Sequence, residues 1–122
     1  KMIRKVSSVS EEEARALTLF GKNGYSELIA VVGAPYPQVL RALRQQYDRL
    51  FFLVPGYGAQ GGTAKHVSEA FTAAGRGAIV SASRSVIGAW QKTGSDGRDW
   101  ARCAKDAACK MRDDLAKYVT VI

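Results

Sequence analysis

Hydrophobic and polar positions along the chain alternate between two periods, and the order of those periods predicts the architecture. Ser10-Glu11-Glu12-Glu13 followed by Ala14, Leu17 and Phe20 has the Ser-x-x-Glu capping pattern of an amphipathic helix over 11–20, closed by Gly21 or Gly24. Leu28 to Val32 is then an unbroken apolar run, as expected of a strand covered on both faces in a parallel sheet. It stops at Gly33. Pro35 and Pro37 mark a turn and a helix start, because proline lacks only an N–H that has no acceptor in the first turn. Val39, Leu40, Leu43 and Tyr47 supply the helical spacing that follows.

The unit then recurs. A second buried strand is expected over 50–54, then a glycine-rich loop, then a helix opened by Thr63 that carries Val67, Ala70, Phe71 and Ala74 and closes at Gly75 or Gly77. A third strand is expected over 77–81, a short helical turn over Val86 to Trp90, a polar loop over Lys92 to Gly97, and a long amphipathic helix over about 96–118. Helices alternating with apolar strands read as an α/β fold, in which right-handed crossovers lay the strands parallel with helices outside. No internal linker or low-complexity segment interrupts residues 1–122, so a single folding unit is expected.

Two strand ends carry the candidate chemistry. Phe51-Phe52-Leu53-Val54 breaks into Pro55-Gly56-Tyr57-Gly58-Ala59-Gln60-Gly61-Gly62, and about twenty residues later Gly77-Ala78-Ile79-Val80-Ser81-Ala82 ends in Ser83-Arg84. Glycines let backbone N–H groups approach a ligand closely, and an arginine adds a permanent, forked positive charge. Taken singly, the glycines could form nothing more than a tight turn and Arg84 could be a solvated surface charge. Paired at adjacent strand ends, they favour a phosphate site.

Composition narrows the remaining classes. The longest apolar runs, Leu28 to Val32 and Leu50 to Val54, are of buried-strand length, far below the roughly 20 residues of a membrane-spanning helix, so a soluble intracellular chain is expected. Cys103 and Cys109 are six apart and His66 has no second histidine or cysteine nearby, which predicts no metal site. The net charge of +7 could suit nucleic acid, but the basic residues are scattered, from Arg41, Arg44 and Arg49 to the mixed-sign run after Arg98. Without a dense block or interleaved aromatics, solvated helix faces are the expected reading, and no nucleic acid is expected as partner. Three parallel strands cannot close a barrel, so the chain is expected to be part of a larger one.

The string Val54-Pro55-Gly56-Tyr57-Gly58-Ala59-Gln60-Gly61-Gly62, with Val31-Val32-Gly33-Ala34 before it and Gly77 to Ser85 after it, resembles the C-terminal third of the orotidine 5'-phosphate decarboxylase family. The resemblance covers residues from about 24 to 118. It implies a C-terminal portion, about three βα units, of a (β/α)8 TIM barrel, with the three strands as its sixth to eighth. It also implies that the substrate phosphate sits on Gly58, Ala59, Gln60 and Gly61, that Ser83 and Arg84 complete the contact, and that Pro55 borders the pyrimidine. The implied partner is a nucleotide monophosphate, in a cytoplasmic homodimer or in association with the remaining barrel, with no metal or organic cofactor.

The family's catalytic Asp-x-Lys-x-x-Asp array has no counterpart here, so no catalytic residue is assigned; Lys105-Asp106 and Asp113-Asp114 read as the outer face of the last helix. Related sugar-phosphate decarboxylases and synthases of the same barrel superfamily, or a non-enzymatic basic module, are the alternatives.

Overall fold

The computed structural model describes residues 22, 24–26, 28–58 and 60–120. The predicted helix over 11–20 lies outside them. Three strands, β1 (Ile29–Val31), β2 (Phe51–Pro55) and β3 (Ala78–Ser81), form one sheet in the order β1-β2-β3. Both pairings are parallel, with Ala30 beside Phe52 and Leu53 beside Ile79. The connections carry α1 (Pro37–Gln46) and α2 (Ala64–Ser68). After β3 come α3 (Ser83–Val86), a 3₁₀ helix (Ala89–Thr93) and α4 (Trp100–Leu115). Among the described residues no helix is long and apolar enough to cross a membrane.

One face of the sheet holds the core. Phe52 and Val54 of β2 are fully buried with Leu40 of α1 and Val67 of α2, and Val32, Ala34, Leu50 and Ala70 join them. The opposite face does not match the expectation of strands covered on both sides. Ile29 is 60% exposed, Val31 57%, Leu53 37% and Ile79 56%. Val31, Leu53 and Ile79 are lateral neighbours in the ladder, so the exposed side chains form a continuous apolar surface. The composition does not alternate along these strands, whereas their burial does, because the described helices lie on one side only.

Helix lengths also differ from the periodicity. α2 ends at Ser68 instead of reaching Ala74, because turns closed by Phe71 N–H to the Ser68 carbonyl and Gly75 N–H to the Thr72 carbonyl take over. Ala70 remains buried and Phe71 half-buried, so apolar spacing persists after the helix has stopped. Helical structure resumes at Ser83 rather than Val86, and the last helix begins at Trp100 rather than 96.

Arg44, read from sequence as one of many solvated helix charges, is half-buried beneath the strands. Its Nε donates to the Ala70 carbonyl at 2.8 Å, Nη1 to the Leu50 and Asp48 carbonyls at 2.8 and 3.0 Å, and Nη2 to the Gly77 carbonyl at 2.9 Å. The guanidinium carbon lies 4.4 Å from the centre of the Phe52 ring. Burial lowers its pKa from the usual arginine value. One planar fork therefore ties α1 to the turn after α2 and to the residues entering β2 and β3. Arg44→Met removes the guanidinium donors from these carbonyls, of which that of Gly77 keeps the Phe52 N–H, and is expected to cost about 2–4 kcal/mol. The measurement is a urea midpoint; Arg44→Lys should recover little, since an ammonium cannot span several carbonyl directions.

Candidate functional site: a pocket between two strand ends

The carboxyl ends of β2 and β3 open onto a shared pocket. Pro55 ends β2, and its carbonyl accepts from Ala34 N–H at 2.7 Å, which draws the loop after β1 against the glycine loop. Gly62 packs so tightly on Ala34 that a Cβ at this position would collide with the Ala34 methyl and approach the Gly56 carbonyl oxygen to 2.8 Å. Gly56 has φ +95°, and the Gln60 side chain folds back over it. Two glycines are thus required here, one for contact and one for conformation. Thr63 then starts α2 through a capping box in which Thr63 Oγ1 accepts from His66 N–H at 3.2 Å and His66 Nδ1 takes the Thr63 N–H. His66 is therefore occupied in local structure.

The other wall is the chain leaving β3. Val86, Ile87 and Gly88 donate to the carbonyls of Ala82, Ser83 and Arg84, whereas the N–H groups of a first turn have no intrahelical acceptor. Those first-turn residues, Ser83, Arg84 and Ser85, line the pocket with Pro55, Tyr57 and Gln60. Its volume is about 120 Å³. That is well below the roughly 300–1,000 Å³ of sites that enclose a drug-sized ligand, so the pocket suits one end of a molecule.

Arg84 supplies the charge. Among the described residues its guanidinium has no carboxylate partner, whereas Arg41 pairs with Glu69, Arg98 with Asp96, Arg102 with Asp99 and Arg112 with Asp113. No aspartate or glutamate lines the pocket. An exposed, unpaired guanidinium beside serine hydroxyls and unspent N–H donors can hold a compact oxyanion.

The sequence-predicted residues distribute unevenly. Pro55, Gln60, Ser83 and Arg84 meet in the pocket, and Ala59 lies outside the described residues. Gly58 and Gly61, expected to offer N–H groups to a phosphate, use them within the loop: Gly58 N–H donates to the Gly62 carbonyl at 2.8 Å and Gly61 N–H to the Gly58 carbonyl at 3.0 Å. Gly58 instead abuts the opposite wall, where a Cβ would meet Ser85 Oγ at 3.0 Å. Sequence reasoning missed Ser85 and Tyr57. Ser85 adjoins the predicted Ser83-Arg84 and could have been included; nothing local singles out Tyr57.

The pocket lining also contains no lysine, so a proton donor paired with carboxylates is absent from it. Asp96 and Asp99 are engaged with Arg98, Arg102 and Ser95 outside it. Asp114 departs from the outward-facing reading: its Oδ2 accepts from the Tyr57 hydroxyl at 2.6 Å, and Lys117 Nζ lies 3.4 Å from its Oδ1. Cys103 is buried with its thiol directed at Asp99, and burial raises its pKa above the usual thiol value. Among the described residues no group of three or more His, Cys, Asp or Glu could hold a metal ion.

No protein-family model matches the chain. An orotidine 5'-phosphate decarboxylase from Clostridium perfringens is 39% identical over 118 residues, which is 95% of this chain and 40% of the relative. The enzyme of that name from Clostridium kluyveri is 38% identical over 114 residues, 93% of this chain and 37% of the relative. The chain is a relative of orotidine 5'-phosphate decarboxylase over part of that enzyme's length. It spans about two-fifths of the curated relatives it matches. A crystal structure described as an orotidine-monophosphate-decarboxylase from Toxoplasma gondii shares the fold, with a TM-score of 0.53 and 24% identity over 93% of this chain and 38% of the other. The parallel three-stranded sheet with its helices is a portion of the (β/α)8 barrel, as expected of a decarboxylase relative of this extent.

Burial and the hydrogen bond to Asp114 push the Tyr57 phenol up to about 12 from its ordinary 10.0, while that same bond holds Asp114 below its ordinary value. The neutral phenol is the favoured folded form. Its contribution to stability is complete below the ordinary tyrosine value and is lost as pH rises through about 12. Phenolate absorbance, as the difference between wild type and Tyr57→Phe, should titrate with a midpoint near 12, moving partway towards 10 in Asp114→Asn because burial is the larger cause. A wild-type midpoint at the ordinary value would contradict the assigned hydrogen bond.

Proposed function

We propose that this chain supplies the phosphate-holding portion of an orotidine 5'-phosphate decarboxylase, which converts orotidine 5'-monophosphate to uridine 5'-monophosphate and carbon dioxide in pyrimidine synthesis. The observation that carries this reading is the unpaired Arg84 in a small pocket with Gln60 and Ser83, in a chain 39% identical to a protein of that name. The pocket accepts a phosphodianion and leaves the base to lie beyond Pro55. Holding a dianion away from the reacting carbon supplies binding energy that can order a closed site around the scissile bond. The groups that stabilise and protonate the carbanion belong to other strands of the barrel, and this chain alone is inactive.

The same reading gives the exposed apolar sheet face a purpose. Ile29, Val31, Leu53 and Ile79 point to the side opposite the helices, as the interior residues of a barrel do. The partner of that face is the rest of the barrel, in an enzyme that works in the cytoplasm as a dimer. The local pairing of arginines with carboxylates argues against a broad nucleic-acid surface, and the reading requires no metal or organic cofactor.

Calorimetric titration with uridine monophosphate and with uridine tests the site. The nucleotide should bind in preference to the nucleoside, and Arg84→Ala should weaken it by about 10- to 100-fold, the range for a charge-assisted contact, with uridine unaffected. Equal affinities for the two ligands, or an Arg84→Ala variant that binds like wild type, would exclude the phosphate assignment.

A further inference from the structure

The glycine loop is joined to the last helix by one side-chain contact that the family resemblance did not supply. Tyr57 sits at the start of the loop, where its backbone bridges to Gly62, and its hydroxyl donates to Asp114 of α4 across 57 positions of sequence. The ring is partly buried against the core and lines the pocket. Beside it, Gly58 faces Ser85 with too little room for a side chain, so a displacement of the loop moves the wall facing the first turn of α3. A loop this rich in glycine has many conformations to lose when it orders. An anchor outside the loop is what selects one of them.

We infer that the Tyr57–Asp114 hydrogen bond latches the glycine loop to α4 and sets the shape of the anion pocket, which makes Tyr57 a positioning residue for the phosphate end of the ligand. The inference rests on the reading of the pocket as a phosphate site. Asp114 is oriented in turn, because Lys117 approaches its second oxygen. A latch of this kind acts before the ligand arrives, by removing loop conformations that cannot bind it.

Hydrogen exchange on the intact 122-residue chain separates the latch from ordinary ring packing, because Tyr57→Phe keeps the ring and removes only the hydroxyl. In Tyr57→Phe the amides of Gly58, Gly61 and Gly62 should exchange about tenfold faster while those of α4 are unchanged. Uridine monophosphate should bind about five- to tenfold more weakly and uridine equally well. Asp114→Asn, which keeps an acceptor, should stay near wild type, and the double variant Tyr57→Phe/Asp114→Ala should be no worse than Tyr57→Phe alone. Wild-type exchange at the three glycine amides in Tyr57→Phe overturns the latch. Faster exchange with nucleotide affinity preserved overturns the positioning role. A wild-type chain that fails to prefer the nucleotide over uridine overturns the phosphate reading and with it the positioning role, while the exchange rates still decide the latch.

Discussion

The Arg44 fork is the constraint on which the rest of the molecule depends. At the amino ends of the strands one guanidinium donates to the carbonyls of Leu50 and Gly77 together with that of Ala70, beside the Phe52 N–H that the Gly77 carbonyl also accepts. Its plane also covers Phe52, the largest fully buried side chain. Lateral position of β2 and β3 is thus held from below. Because the two strands run parallel, their carboxyl ends are placed from the same anchor, and those ends carry Pro55 and Ser81 to the pocket. Stability and ligand chemistry occupy opposite ends of the sheet, as barrel architectures generally arrange them.

At the upper end the governing quantity is space rather than charge. Gly62 fits against Ala34 with no room for a side chain, and Ala34 is itself fixed by its N–H bond to Pro55. The N–H groups of Gly58, Gly61 and Gly62 are met by carbonyls of the loop itself, and Ser83 to Ser85 line the facing wall. This differs from the open cradle that a glycine-rich string suggests.

The excess of +7 was read from sequence as scattered, solvated helix charge, and several of the arginines facing solvent meet a carboxylate within a few residues or on the next element. Exposed pairs of this kind contribute little to stability, but they remove charge from the field seen by a ligand. Arg84 differs from these arginines in having no carboxylate partner among the described residues, at a pocket that no aspartate or glutamate lines.

The succession of strands and helices, parallel pairing and both halves of the pocket were legible in the sequence, because apolar runs of strand length, proline at a helix start and glycine at a close approach are consequences of local sterics. Ser83 and Arg84 could be named in advance as donors and charge at a strand end, whereas Pro55 and Gln60 were named through the family resemblance. Only the tertiary structure decided which face of the strands is covered, since Ile29 and Phe52 are equally apolar and differ only in what lies beside them. It also decided the fates of two charged side chains and two loop amides. Arg44 turned inward, Asp114 met Tyr57, and the Gly58 and Gly61 N–H groups closed on their own loop. Each outcome depends on partners between 3 and 57 residues away, and such distances are set by folding rather than by the period of the chain.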